Sequence, residues 1–84
     1  MNEITGAQIR AARALVRWSA KELANAANFG VATIRRAEAE DGIPPTTVAN
    51  LNTIRQTLET AGVEFIHEDG GGRGVRFARE PNGL

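Results

Sequence analysis

Few side chains in this sequence of 84 residues can carry covalent, acid–base or metal chemistry. It has no cysteine, and His67 and Ser19 are its single histidine and single serine. Disulfides, thiolate metal sites and histidine clusters are therefore excluded, and Ser19 is expected to open a helix rather than to act as a nucleophile. Glu64, Glu68 and Asp69 are typical of an acidic rim. These residues predict a protein that is not an enzyme, with no cofactor, no metal and no small-molecule substrate.

A glycine-rich run, Gly70-Gly71-Gly72-Arg73-Gly74, invites comparison with phosphate-binding loops. A P-loop ends in Gly-Lys-Ser/Thr at the start of a helix, and a Rossmann loop needs a βαβ unit. Neither pattern is present. The run lies between β-prone segments at about 63–67 and 74–79, which predicts the turn of a β-hairpin.

Basic residues are spread unevenly along the chain, although the formal net charge is zero. Residues 1–36 have six basic and two acidic side chains, for a net charge of +4. Residues 37–69 have one basic and seven acidic side chains, for −6, and residues 70–84 have three basic and one acidic, for +2. The first region can therefore face phosphate, whereas the middle region would be repelled by it.

Helices are expected to position these charges, and capping boxes indicate where the first two helices begin. Thr5-Gly6-Ala7-Gln8 and Ser19-Ala20-Lys21-Glu22 each place a hydroxyl residue three positions before a side chain that can accept a hydrogen bond from the main-chain amide of that residue. They predict helices at about 6–17 and 20–27. The apolar face of the first is expected to comprise Ile9, Ala12, Leu15 and Val16, whereas Arg10, Arg13 and Arg17 fall outside it.

Two further helices follow a three-residue break at Asn28-Phe29-Gly30. The third is expected at about 31–40 and ends before the prolines at 44 and 45, since proline cannot continue a helix. Thr46 or Thr47 caps the fourth, which stops near Gly62. Its expected apolar stripe is Val48, Leu51, Ile54 and Leu58, and the other expected core residues are Leu23, Ala27, Phe29 and Ile34, with Trp18 wedged between the first and fourth helices.

The second and third helices together form the pattern of a helix-turn-helix, at about residues 19–40. Such a pair of helices can bind DNA because the major groove admits one α-helix. Side chains near the N-terminus of that helix reach the base edges. Trp18-Ser19-Ala20-Lys21-Glu22-Leu23-Ala24 and Val31-Ala32-Thr33-Ile34-Arg35-Arg36-Ala37-Glu38 resemble the lambda-repressor/Cro (XRE) family. The resemblance covers about residues 4–62.

The resemblance implies a mainly α fold of four to five helices in residues 1–62. A β-prone hairpin at 63–79 and a frayed tail at 80–84 are expected after this domain. The resemblance also implies a structural ion pair between Arg13 and Glu38. The sequence departs from the family at Ala20, where a DNA-clamping glutamine is usual, and at Gly30 and Val31, where polar residues are usual. The residues left to contact DNA are Lys21, Val31, Ala32, Thr33, Arg35 and Arg36.

The function that the resemblance implies is that of a small transcriptional regulator. It would bind operator DNA as a homodimer, most often as a repressor. No apolar run approaches the about 20 residues of a membrane span and no signal-peptide pattern is visible, so a cytoplasmic protein without membrane contact is expected. Two alternatives stay open. One is a regulator on the same scaffold that binds another protein, such as an antiactivator, and the other is the partner of a toxin. The residues available to such a partner are Val63, Phe65, Val75 and Phe77.

Overall fold

The computed structural model describes residues 3–67 and 70–78. Within these ranges four helices precede an antiparallel hairpin, which confirms a mainly helical architecture with a short β-hairpin. The elements are α1 Gly6–Val16, α2 Ala20–Ala27, α3 Val31–Ala37, α4 Val48–Thr60, β1 Val63–Ile66 and β2 Gly74–Phe77. None of these helices is long and apolar enough to cross a membrane. The tail expected to be frayed, 80–84, lies outside the described residues.

Both predicted capping boxes are present. The Thr5 hydroxyl accepts a hydrogen bond from the Gln8 amide at 3.1 Å, and Ser19 accepts one from the Glu22 amide at 3.0 Å. Left-handed residues end these two helices, at Arg17 with φ of 60° and at Asn28 with φ of 63°. Because a left-handed residue cannot continue an α-helix, α1 and α2 are short and turn sharply into the next element.

Helix α3 ends three residues before the expected Glu40. The Glu38 amide still donates to the Ile34 carbonyl at 3.0 Å, but the Ala39 amide donates to the Arg36 carbonyl at 3.3 Å, and the chain then leaves the helix and meets the start of α1. The Gly6 amide donates to the Gly42 carbonyl at 2.8 Å, and Gly6 lies so close that a Cβ atom there would be 2.0 Å from the Glu40 carbonyl oxygen. A contact of this kind requires glycine, so the approach of α1 to the loop after α3 is possible only with this residue.

The core lies between the inner faces of all four helices and the hairpin. Val48 is an exception to the predicted stripe, because it is the first residue of α4 and its side chain is 54% exposed. Trp18 is half-buried and lines an open cleft beside α2 and α4. The buried core residues are Ile4, Ile9, Ala12, Leu23, Ala24, Ala27, Ile34, Ala37, Leu51, Ile54, Leu58, Val63 and Phe65.

The hairpin is fastened to α1 by the side chain of Gln8. Its carboxamide nitrogen donates to the carbonyl oxygens of Ile66 at 3.2 Å and Gly74 at 2.9 Å, while its oxygen accepts from the Thr5 amide. The residue is 3% exposed, so these bonds are shielded from water. One glutamine therefore both caps α1 and fixes the position of the two strands.

Candidate functional site

Helix α3 has a buried side and an exposed side. Ile34 and Ala37 face the core, whereas Ala32, Arg35 and Arg36 are exposed. Val31 and Thr33 are half-buried, and Val31 packs against the core. The exposed side of α3 therefore presents two adjacent guanidinium groups together with one small apolar side chain.

The orientation of this exposed side is fixed by ion pairing behind it. Arg13 of α1 holds both carboxylate oxygens of Glu38, with Nε 2.6 Å from Oε2 and Nη2 2.9 Å from Oε1. A third bond from Arg13 reaches the Trp18 carbonyl at 2.9 Å. Bidentate geometry of this kind holds a guanidinium in a single orientation. The hydrogen bonds to Glu38 raise the pKa of Arg13 above its ordinary value, and the charge of Glu38 adds to this effect.

Arg10 also binds the segment that follows α3. Its guanidinium donates to the Glu38 carbonyl at 2.5 Å and pairs with the Asp41 carboxylate. A cation at the C-terminal end of a helix also interacts favourably with the partial negative charge of the last carbonyl groups. Arg10 and Arg13 thus form intramolecular ion pairs at the end of α3.

Three basic residues of α2 and α3 have no such partner among the described residues. Across residues 3–67 and 70–78, no ion pair or side-chain hydrogen bond engages Lys21, Arg35 or Arg36. All three are exposed, Lys21 in the first turn of α2 and the two arginines in the last turn of α3. Because α2 and α3 pack against each other, these cations belong to one pair of helices.

The start of α3 differs from the start of α2 in the groups it offers. Ser19 caps α2 with its hydroxyl, whereas Gly30 opens α3 without any side-chain hydrogen bond. The first residues after Gly30 are Val31 and Ala32, which have no polar side-chain atom. Only van der Waals contacts with an apolar group are available from these two side chains.

The four hairpin residues predicted to meet a partner divide into two groups. Val63 and Phe65 of β1 are 1% and 6% exposed and lie in the core, so their side chains are not available on the surface. Val75 of β2 is half-buried, and Phe77 is 54% exposed. Of these four side chains, only the two on β2 are therefore available to a partner in this conformation.

An open cleft of about 330 Å³ lies on another side of the molecule, and no residue pattern predicted it. It is lined by Trp18, Ala26, Thr57, Thr60 and Ala61. The hydroxyl of Thr57 already donates to the Thr53 carbonyl at 2.8 Å. The cleft is mainly apolar and contains no charged side chain, which makes it a contact surface rather than a place for acid–base chemistry.

Among the residues that the structure describes, no group of three or more histidine, cysteine or acidic side chains is arranged to hold a metal ion. No protein-family model matches the sequence, and no curated protein matches it either.

Proposed function

We propose that this protein is a small DNA-binding transcriptional regulator in which α2 and α3 form a helix-turn-helix. The observation that carries the proposal is the exposed side of α3, where Arg35 and Arg36 project without a partner among the described residues. Arg13 holds this helix from behind. A rigid helix with free guanidinium groups has the shape and charge that the DNA major groove admits.

Each part of this surface has a separate role in the proposal. Arg36 donates two hydrogen bonds to a guanine edge, which is the most common specific contact made by arginine. Val31 and Ala32 contact thymine methyl groups, which suits their lack of polar atoms. Lys21, Thr33 and Arg35 bind phosphates, and these contacts position the helix without reading sequence.

The middle of the chain supports the same orientation. Residues 37–69 have a formal net charge of −6, which favours approach of DNA from the α2–α3 side. Four of their acids, Glu38, Asp41, Glu59 and Glu64, are paired with arginines, so the repulsion is weaker than the formal charge implies. Arg55 of α4 pairs with Glu59, and Arg76 of β2 pairs with Glu64, so these cations are already neutralised. Lys21, Arg35 and Arg36 have no ion pair among the described residues, so they are available to displace counterions from DNA.

A gel-shift titration tests the proposal, using sites enriched by this protein from a pool of random duplexes. Affinity should fall steeply with salt, with a slope of about −0.9 for each phosphate contacted. Arg36→Ala should cost about 1–3 kcal/mol at the guanine position it reads and relax specificity there. Arg35→Ala should weaken binding to all sequences and reduce the salt slope by about 1.

Arg55→Ala is the matched control, because it removes the same charge from a residue outside the α2–α3 side. It should leave the titration nearly unchanged. The proposal is wrong if selection enriches no sequence, or if Arg35→Ala and Arg36→Ala bind the enriched duplex as well as Arg55→Ala does.

A second candidate function is regulation through another protein. The exposed large apolar side chains available for such a contact are those of Ile43, Val48 and Phe77. Binding of this kind would respond little to salt and would tolerate Arg35→Ala with Arg36→Ala. Substituting Phe77 with serine would weaken it instead, which a pull-down against the captured partner would measure.

A further inference from the structure

The first turn of α2 contains a negative charge beside one of the cations that the proposed function assigns to DNA. Lys21 and Glu22 are consecutive residues, and both side chains are exposed. Neither has an ion pair in the part of the chain that the structure describes. The Glu22 carboxylate therefore keeps its charge unneutralised there, whereas the Glu38 carboxylate is held by Arg13.

The position of the Glu22 carboxylate is fixed by the cap of α2. Its Oε1 atom accepts a hydrogen bond from the Ser19 amide at 2.7 Å, and the Glu22 amide in turn donates to the Ser19 hydroxyl at 3.0 Å. A side chain held in such a reciprocal pair cannot turn away without losing a bond. The negative charge therefore stays at the N-terminal end of α2.

This end of α2 is also where an approaching phosphate would find donors. The first amides of an α-helix have no acceptor within the helix. Those of Ala20 and Lys21 have no other acceptor among the described residues. Such amides, with the partial positive charge of the helix end, attract an anion. The Glu22 carboxylate already lies at that end, so a phosphate bound there would lie beside a like charge.

We infer that Glu22 limits the affinity of this protein for DNA, because its own carboxylate lies where a phosphate would bind at the start of α2. The inference rests on the proposed function, since it concerns the same α2–α3 side. Lys21 shares the first turn of α2 with Glu22, so its phosphate contact is the one that is weakened most. Arg36 lies on α3, outside this turn, and its contact with a base edge is affected less.

The expected effect is electrostatic and therefore depends on salt. Repulsion between two unit charges about 7 Å apart near a protein surface corresponds to about a three- to tenfold change in affinity. The range of such repulsion is about 10 Å in 0.1 M salt and about 3 Å in 1 M salt. The loss of affinity caused by Glu22 should therefore be greatest at low salt and disappear at high salt.

Glu22→Gln separates the charge from the cap. A glutamine oxygen accepts the same hydrogen bond from the Ser19 amide, so the capping box is kept. At low salt this variant should bind the enriched duplex about three- to tenfold more tightly than the unchanged protein does. Its salt slope should be steeper, by about 0.9 for one further phosphate contacted. Affinity for a scrambled duplex should rise by the same factor, since phosphate contacts do not read sequence.

Two further variants separate the proposed effect from other causes. Glu59→Gln is the matched control, because it makes the same change of net charge on α4, outside the α2–α3 side, and it should leave the titration nearly unchanged. Glu22→Ala removes both the charge and the acceptor of the Ser19 amide. It should gain affinity as Glu22→Gln does, but its melting temperature should fall. A role in capping alone predicts instead that Glu22→Gln binds as the unchanged protein does and that Glu22→Ala binds more weakly.

The outcomes distinguish this inference from the proposed function. Equal affinities of Glu22→Gln and Glu59→Gln for an enriched duplex would overturn the inference and leave the proposed function standing. A gain confined to the enriched duplex would also overturn it, because base reading would then have changed rather than phosphate contact. Absence of DNA binding by the unchanged protein and by both Glu22 variants would overturn the two together.

Discussion

The two sides of α3 have the same types of residue but use them in different ways. Behind the helix, Arg10 and Arg13 donate to the carboxylates of Glu38 and Asp41 and to the Glu38 carbonyl, which follows α3. On the exposed side, Arg35 and Arg36 have no partner among the described residues. The difference separates arginines that hold the structure from arginines that are available to a ligand, although the residue type is the same.

The largest expected effect comes from the closest contact behind α3. Gly6→Ala places a Cβ atom 2.0 Å from the Glu40 carbonyl oxygen and 2.8 Å from that of Ala37, and both are main-chain atoms. Such overpacking typically costs about 1–3 kcal/mol, and we expect the upper end because the backbone itself must move. Chemical denaturation measures the loss.

Gly42→Ala is the control for this substitution. A Cβ atom there would meet nothing within 4 Å, and the residue has no positive φ. It should change the free energy of unfolding by less than about 0.5 kcal/mol. If the two variants were equally stable, the close packing of α1 on the loop after α3 would not exist in solution.

The next effect compares an arginine behind α3 with one on its exposed side. Arg13→Met leaves Glu38, which is 8% exposed, without its bidentate partner. Breaking a buried pair in this way costs about 3–5 kcal/mol, and we expect about 2–3 kcal/mol because Arg13 itself is 21% exposed. Arg36→Met should stay within about 0.5 kcal/mol, as exposed substitutions do.

Equal losses for these two variants, in urea denaturation at neutral pH, would remove the distinction between the two sides. In the DNA titration we expect the opposite order of effects for these two variants. There Arg36→Met should lose more affinity than Arg13→Met does when both are compared as folded proteins.

Local signals along the chain predicted the helices well. The hydroxyl-first capping boxes and Asn28 mark helix ends through bonds between near neighbours, so they can be seen in the sequence. The exposure of Arg35 and Arg36 also followed from spacing, since Ile34 and Ala37 take the inner face. The pairing of Arg13 with Glu38 was expected from a family resemblance rather than from spacing.

Features that depend on distant segments were not predictable. Gln8 was expected to cap α1, but its bonds to Ile66 and Gly74 join residues about 60 positions away. The requirement for glycine at position 6 depends on the path of a loop more than 30 residues later. Neither contact has a periodic pattern, because each is decided by how the finished elements pack.

A smaller effect, in the stabilising direction, is expected at the end of α1. Arg17 has φ of 60°, a left-handed conformation that costs a non-glycine residue about 1–2 kcal/mol. Arg17→Gly removes this cost but adds freedom to the unfolded chain, so we expect a net gain of about 0.5–1 kcal/mol. Thermal denaturation measures it, with Arg17→Ala as the control that removes the charge but keeps the strain.

A gain from Arg17→Ala equal to that from Arg17→Gly would assign the effect to charge instead of to the backbone. If Arg17 also contacts phosphate, both variants should lower the salt slope of DNA binding by about 1. Arg17 would then belong with the free cations of α2 and α3.

The smallest expected effect is at the exposed counterpart of the Arg13–Glu38 pair. Arg76 donates two hydrogen bonds to Glu64 across the hairpin at 3.1 and 3.2 Å, and these bonds, with the positive charge of Arg76, lower the pKa of Glu64. A lowered folded pKa means that the pair stabilises the protein above the ordinary glutamate pKa of about 4.3 and stops doing so as the pH falls through the folded value. The melting temperature of Glu64→Gln should therefore lie slightly below that of the unchanged protein at neutral pH. The two should coincide in acid, where Glu64 is protonated in both the folded and the unfolded chain. A difference that persisted in acid would have another origin than this charge pair. At neutral pH the loss of stability in Arg13→Met should be larger than that in Glu64→Gln, because solvent screens the hairpin pair more strongly.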